Sequence, residues 1–170
     1  MSSNNLVFKP RGSFGWVWLL ALALAGLVSL IVAALSAAQT PLPLLLLTIG
    51  SAGLVSVGGI TLALWFPTMR YNLDDQALGL HYGQVLNYRV PFDRIKSIRR
   101  RDLGMTIWSS IRLPGIALFT VPYSDVGNVK MCSTGALKRI LLIETDREKY
   151  GITPADEKGF VEALRTRIRG

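Results

Sequence analysis

The chain has 170 residues, room for one domain of ordinary size plus an appendage. Half of it is hydrophobic and its formal net charge is +8, yet the two properties are segregated along the chain. Only Lys9 and Arg11 carry side-chain charge before Arg70, and all eleven acidic residues lie at or after Asp74. A single cysteine, Cys132, excludes an intrachain disulfide and a cysteine metal cluster, and fits a reducing compartment.

Residues 1–15 read as a short polar tail. Residues 16–38 and 42–66 are charge-free runs of 23 and 25 residues. A helix needs about 20 apolar residues to cross a bilayer core, so the sequence predicts two transmembrane helices. Each run exceeds the roughly 7–15-residue apolar stretch of a signal peptide, and the second follows directly on the first. The linker at 39–43 contains Pro41 and Pro43, which stop both helices and leave space only for a tight turn. An antiparallel hairpin with both flanks on one side follows. The turn has no Lys or Arg, whereas the flanks carry Lys9, Arg11 and Arg70. The positive-inside rule therefore places both termini in the cytoplasm and the hairpin in the inner membrane, with Trp16, Trp18 and Trp65 as interface anchors.

Small residues mark the expected helix contacts. Ala21, Ala25, Ser29, Ala33 and Ala37 recur every four residues in the first helix, and Gly50, Gly53, Gly58, Gly59 and Ala63 punctuate the second. Close approach over small side chains holds helices together in lipid, so Ala25, Ser29, Ala33, Gly53 and Gly59 are candidate packing positions. They either close the hairpin on itself or dock another membrane subunit. Neither span holds an ionisable residue, so there is no ion path or proton relay to propose.

From residue 67 the pattern changes to short alternating segments. Strands are predicted at 70–73, 78–82, 85–90, 94–101, 115–120, 128–133, 139–144 and 149–152, each bounded by Gly, Pro, Asp or Ser. Such spacing indicates a sandwich or barrel. Thr153 as N-cap, Pro154 at the first helical position and Asp156 at the third predict a C-terminal helix over about 154–168. Phe160, Val161, Leu164 and Ile168 fall on one face of it. The expected fold is thus a membrane α-hairpin plus a mainly β domain, a bent antiparallel sheet or barrel capped by one helix.

Residues 70–168 resemble a bacterial pleckstrin-homology-like domain. The resemblance is carried by Tyr71-x-Leu73, by Leu78-x-Leu80-x-x-Gly83, and by the stretch from Tyr88 to Phe92 leading into Ile95 and Ile98. Arg112-x-Pro114-Gly115 continues it, and the run from Ile140 to Thr145, Tyr150-x-Ile152-Thr153-Pro154 and Phe160-x-x-Ala163-Leu164 close it. It implies a seven-stranded, strongly bent sheet capped by a C-terminal helix, and no enzyme activity; it fixes no ligand.

Catalytic chemistry has little to rest on. His81, the one histidine, lies mid-strand and far in sequence from Cys132, and reads as a strand-face residue. No phosphate-binding, dinucleotide-binding, metalloprotease or nucleophile-elbow pattern is present, and no cofactor or metal is expected. Charge is the outstanding feature. Arg89, Arg94, Lys96, Arg99, Arg100, Arg101 and Arg112 face only Asp93 and Asp102 in that stretch. Such a cluster fits an anionic leaflet, an acidic patch on a partner, or a plain solvated strand face. Nucleic acid is not expected, because aromatic residues are not interleaved with the cations. The apolar connection at 103–111 is either a strand buried in the barrel or a loop anchored at the interface by Trp108.

The expected function is a non-catalytic membrane-anchored scaffold or accessory subunit of a larger membrane assembly. In that reading the hairpin docks laterally and the basic domain holds a protein or lipid surface. The alternative is a stand-alone sensor or adaptor that binds anionic lipid or a peptide. Anionic membrane lipids and other membrane subunits, or a second copy of the chain, are the partners implied.

Overall fold

The computed structural model describes residues 5–104, 106 and 111–169, the side chain of Arg169 excepted. Two compact units result: residues 16–66, and a second made of 1–15 together with 67–170.

The first unit is a pair of helices, α1 (Gly15–Leu35) and α2 (Leu42–Trp65), joined by the proline-bounded turn. Both are long and apolar enough to cross a membrane. Small residues let them approach closely. Leu19, Ala23, Gly26 and Ala33 are buried on α1, and Ala52, Ser56 and Gly59 on α2. A Cβ on Gly59 would lie 2.8 Å from the Leu19 carbonyl oxygen, and one on Gly26 would lie 2.8 Å from the Ala52 oxygen and overlap Ser56 Oγ.

The contact face therefore follows steps of four and three residues from Leu19, not the every-fourth stripe expected. A four-residue step overshoots a helical turn by about 40°, so a stripe of that period winds off any one face. Ala33 and Gly59 sit in the contact, whereas Ala25 and Ser29 are exposed and a Cβ on Gly53 would meet nothing. Ser29 Oγ donates within its own helix, to the Ala25 carbonyl at 2.9 Å. Gly26, not singled out from the sequence, is the tightest point.

Among its described residues the second unit holds ten strands in two sheets. β1 (Leu6–Phe8), β2 (Arg70–Leu73), β3 (Ala77–Tyr82) and β4 (Leu86–Pro91) form one, in that order and antiparallel. β5 (Ile95–Arg101), β6 (Arg112–Leu113), β7 (Ile116–Tyr123), β8 (Gly127–Ser133), β9 (Ile140–Thr145) and β10 (Lys149–Ile152) form the other, in the order β5-β9-β10-β8-β7-β6. Buried Leu80, Tyr82, Leu86, Ile116, Leu118 and Ile143 belong to the core. The fold class is as expected: two helices, then a mainly β body with one C-terminal helix, α3 (Glu157–Arg169).

Three features depart from the sequence expectation. First, β10 pairs parallel with β8, Gly151 opposite Met131, because it fills the space between β8 and β9. Second, α3 begins later than expected. Asp156 is its cap, with Oδ1 accepting from Gly159 N at 2.9 Å. Thr153 is buried and engaged elsewhere, its Oγ1 accepting from Thr134 N at 2.8 Å. Tyr71 closes that network, donating to the Cys132 carbonyl at 2.8 Å and accepting from Thr153 N at 3.3 Å.

Third, the N-terminal residues are built into the domain. Leu6, Val7 and Phe8 pair with Leu73, Asn72 and Tyr71. The segment then runs against the start of α3: Ala155 N donates to the Lys9 oxygen at 3.0 Å, and Arg11 N to the Thr153 oxygen at 2.7 Å. The Phe8 ring meets buried Phe160 edge-on at 5.2 Å, and Ser13 Oγ donates to Gly115 O at 2.5 Å. This strap lies on the far side of the hairpin in sequence from every strand it contacts.

Candidate functional site

The basic residues separate into three places. β5 is the terminal strand of the six-stranded sheet and pairs only with β9 among the described residues. A register shift between Ile95 and Ser97 sets its later alternation. Ser97, Arg99 and Arg101 point to one face, and Ile98 and Arg100 to the other, which α3 covers. Arg100 Nη1 lies 3.9 Å from Glu157 Oε1, while Arg11 Nη2 lies 3.8 Å from Oε2 of the same carboxylate. Ile95, Lys96, Ser97 and Ile98 line an open groove against Arg165 and Ile168 of α3. Lys96, Arg99 and Arg101 are exposed, with no acid at ion-pair distance among the described residues.

Arg89 and Arg94 belong to a second cleft, between the end of β4 and the β9–β10 turn, shared with Asp146, Arg147, Glu148 and Tyr150. Arg89 lies 3.8 Å from Asp74. Glu148 is fixed by Lys130 Nζ at 2.5 Å and by the Tyr150 hydroxyl at 2.5 Å, and these two donors hold its carboxyl below the usual range. Lys130 in turn lies over the Tyr88 ring at 5.3 Å.

Arg112 does not join either group. It stands on β6, the opposite edge of the sheet from β5, so five strand spacings of about 4.8 Å separate them along the sheet. Its guanidinium donates to the Thr106 carbonyl and lies over the Tyr123 ring at 5.9 Å. Nearness to β5 in sequence misled here, because the connection after Arg101 carries the chain to the far edge.

Trp16 and Trp18 are exposed at the start of α1, and Trp65 is half-buried at the end of α2. Trp108 lies outside the described residues. His81 is half-buried on β3, where desolvation first and Arg70 second lower its pKa. Cys132 is buried, and burial pushes its thiol up to about 12, which suppresses the thiolate at neutral pH. Among the described residues no group of three or more His, Cys, Asp or Glu could hold a metal ion.

With the two-sheet body, its closing helix and its basic edge described, the comparison with protein families is decisive. Residues 69–168 match the family model for the bacterial PH domain. The chain belongs to that family. PH domains are typically non-catalytic binding modules. No curated protein and no solved structure matches the chain. The matched region begins after the hairpin, so the strap at Leu6–Ser13 is an addition to the PH domain drawn from outside it. The sequence signal for it was slight: three apolar residues, Leu6, Val7 and Phe8, within an otherwise polar tail.

Proposed function

We propose that the protein is a non-catalytic scaffold or accessory subunit, a PH domain fixed to the inner membrane by its hairpin and offering a basic face to another protein. The observation that carries this reading is the strap. Residues before and after the hairpin belong to one folded unit, so both flanks must lie on the same side of any bilayer the helices cross. Joined at both flanks, the domain is suited to act as a platform. The positive charges of Lys9, Arg11 and Arg70, against a turn without Lys or Arg, favour the cytoplasmic side. Lateral docking of the hairpin is supported by the small residues its own contact leaves unused, Ala21, Ala25, Ser29 and Gly50, all exposed.

Cysteine labelling in intact cells tests the reading. A Gln39→Cys variant is expected to react with an impermeant maleimide supplied from outside, and a Gln84→Cys variant only after the cells are opened. Labelling of both positions from one side would refute a spanning hairpin, and the reverse pattern would refute the cytoplasmic placement.

A further inference from the structure

β5 is the longest of the four strands that end a sheet. β1 and β6 end their sheets with three and two residues, short enough to offer little backbone to a passing chain, and the six-residue β4 ends in Pro91, which has no N–H to donate. β5 runs for seven residues, Ile95–Arg101, and one of its two edges has no strand beside it among the described residues. Every second residue there turns an N–H and a C=O outward.

The side chains beside that edge define what would fit. On the α3 face, Ile95, Ile98 and Ile168 give the groove an apolar floor with Lys96 and Arg165 at its rim. On the opposite face, Arg99 and Arg101 sit two residues apart, so their side chains stand roughly 7 Å from each other along the strand. Two carboxylates flank the strand and both are engaged, Glu144 accepting from Ser97 Oγ at 2.5 Å and Asp102 from Arg139 N at 2.7 Å, and β5 itself carries no acid. A chain laid along the edge would repeat with the same two-residue period, acidic towards Arg99 and Arg101 and apolar towards the groove.

We propose that β5 and its groove with α3 take up an extended acidic segment of a partner protein as an added strand of the six-stranded sheet. This deepens the platform reading and rests on it for the partner being a protein. Backbone pairing would supply affinity, and alternating side chains would supply selectivity.

The test uses the full chain in nanodiscs of zwitterionic lipid, with a fluorescent eight-residue peptide of alternating Glu and Ile as probe. A second peptide has the same side chains but N-methyl groups at alternate amides, and a third has Lys in place of Glu. The expected result is binding of the first peptide with slowed amide exchange across residues 95–101. N-methylation should weaken binding at least about tenfold, since it removes the donors a new strand needs. The Lys96→Gln, Arg99→Gln, Arg101→Gln triple variant should weaken it about tenfold at low salt, and less as salt rises. Exchange at β2 and β8 monitors the fold of that variant. Absence of binding, equal binding of the N-methylated peptide, or protection elsewhere would overturn the proposal. So would protection of 95–101 by anionic nanodisc lipid without peptide, which would assign the face to the membrane. None of these outcomes alters the labelling at Gln39 and Gln84, so failure here is separable from failure of the platform reading.

Discussion

A chain that begins at Pro10 is expected to lose roughly 3 kcal/mol of PH-domain stability, although the deleted residues lie outside the matched domain. The deletion removes the β1–β2 pairing, the Ala155 N hydrogen bond to Lys9 O, and the Phe8 ring from Phe160. An edge-to-face aromatic pair contributes about 0.5–1.5 kcal/mol beyond its buried area, and each net hydrogen bond about 0.5–1.5 kcal/mol. For a domain of this size the melting temperature should fall by roughly 10–20 °C. Thermal unfolding in detergent, followed by amide exchange in β2 and α3, would show it. An unchanged transition would mean that the strap rests on the domain without supporting it.

Gly26→Leu and Gly59→Leu should each disrupt the hairpin by about 2–3 kcal/mol, since overpacking a closed contact forces backbone apart. The atoms that a Cβ would meet are mostly backbone, Ala52 O at one site and Leu19 O with Ala23 N at the other, and cannot swing aside. Ser29→Leu and Gly53→Leu should stay within about 0.5 kcal/mol of the parent, as substitutions away from packed contacts usually do. Paired spin labels on α1 and α2 would report the separation. Equal separations in all four variants would contradict the assigned contact face.

These expectations follow from the parts of the molecule that the sequence disclosed least. Elements defined by local pattern were legible almost to the residue: β2 at Arg70–Leu73 and β10 at Lys149–Ile152 stand where alternation and turn residues placed them. The two apolar helices and the PH-like body were legible for the same reason. What local pattern cannot encode is which distant strand lies alongside. β1 has no turn to pair it with a neighbour in sequence, since its partner lies beyond the whole hairpin. The insertion of β10 between β8 and β9, and the removal of Arg112 to the far edge, are likewise nonlocal. The phase of the helix contact was misjudged because small residues recur on more than one face of α1. Thr153 has the chemistry of a cap, but its hydroxyl is committed to Thr134 and the cap passes to Asp156. Lys96, Arg99, Arg100 and Arg101 were legible as a basic strand, whereas their groove with Arg165 and Ile168 required the helix to be placed.

The claim that the two flanks of the hairpin form one domain can be tested by a single cross-link. Val7 and Asn72 face each other across β1 and β2. Cα atoms at such positions are about 4.5–5.5 Å apart, within the span a disulfide bridges. Cys132 can stay in place, being buried with its thiol pushed up to about 12. In membranes treated with a mild oxidant, a Val7→Cys, Asn72→Cys chain is expected to form an intramolecular disulfide that shifts its mobility on a non-reducing gel. A Val7→Cys, Gln84→Cys chain should not. Failure of the first pair to cross-link in protein that otherwise retains its fold, or equal cross-linking of both pairs, would contradict the strap and the single-domain account built on it.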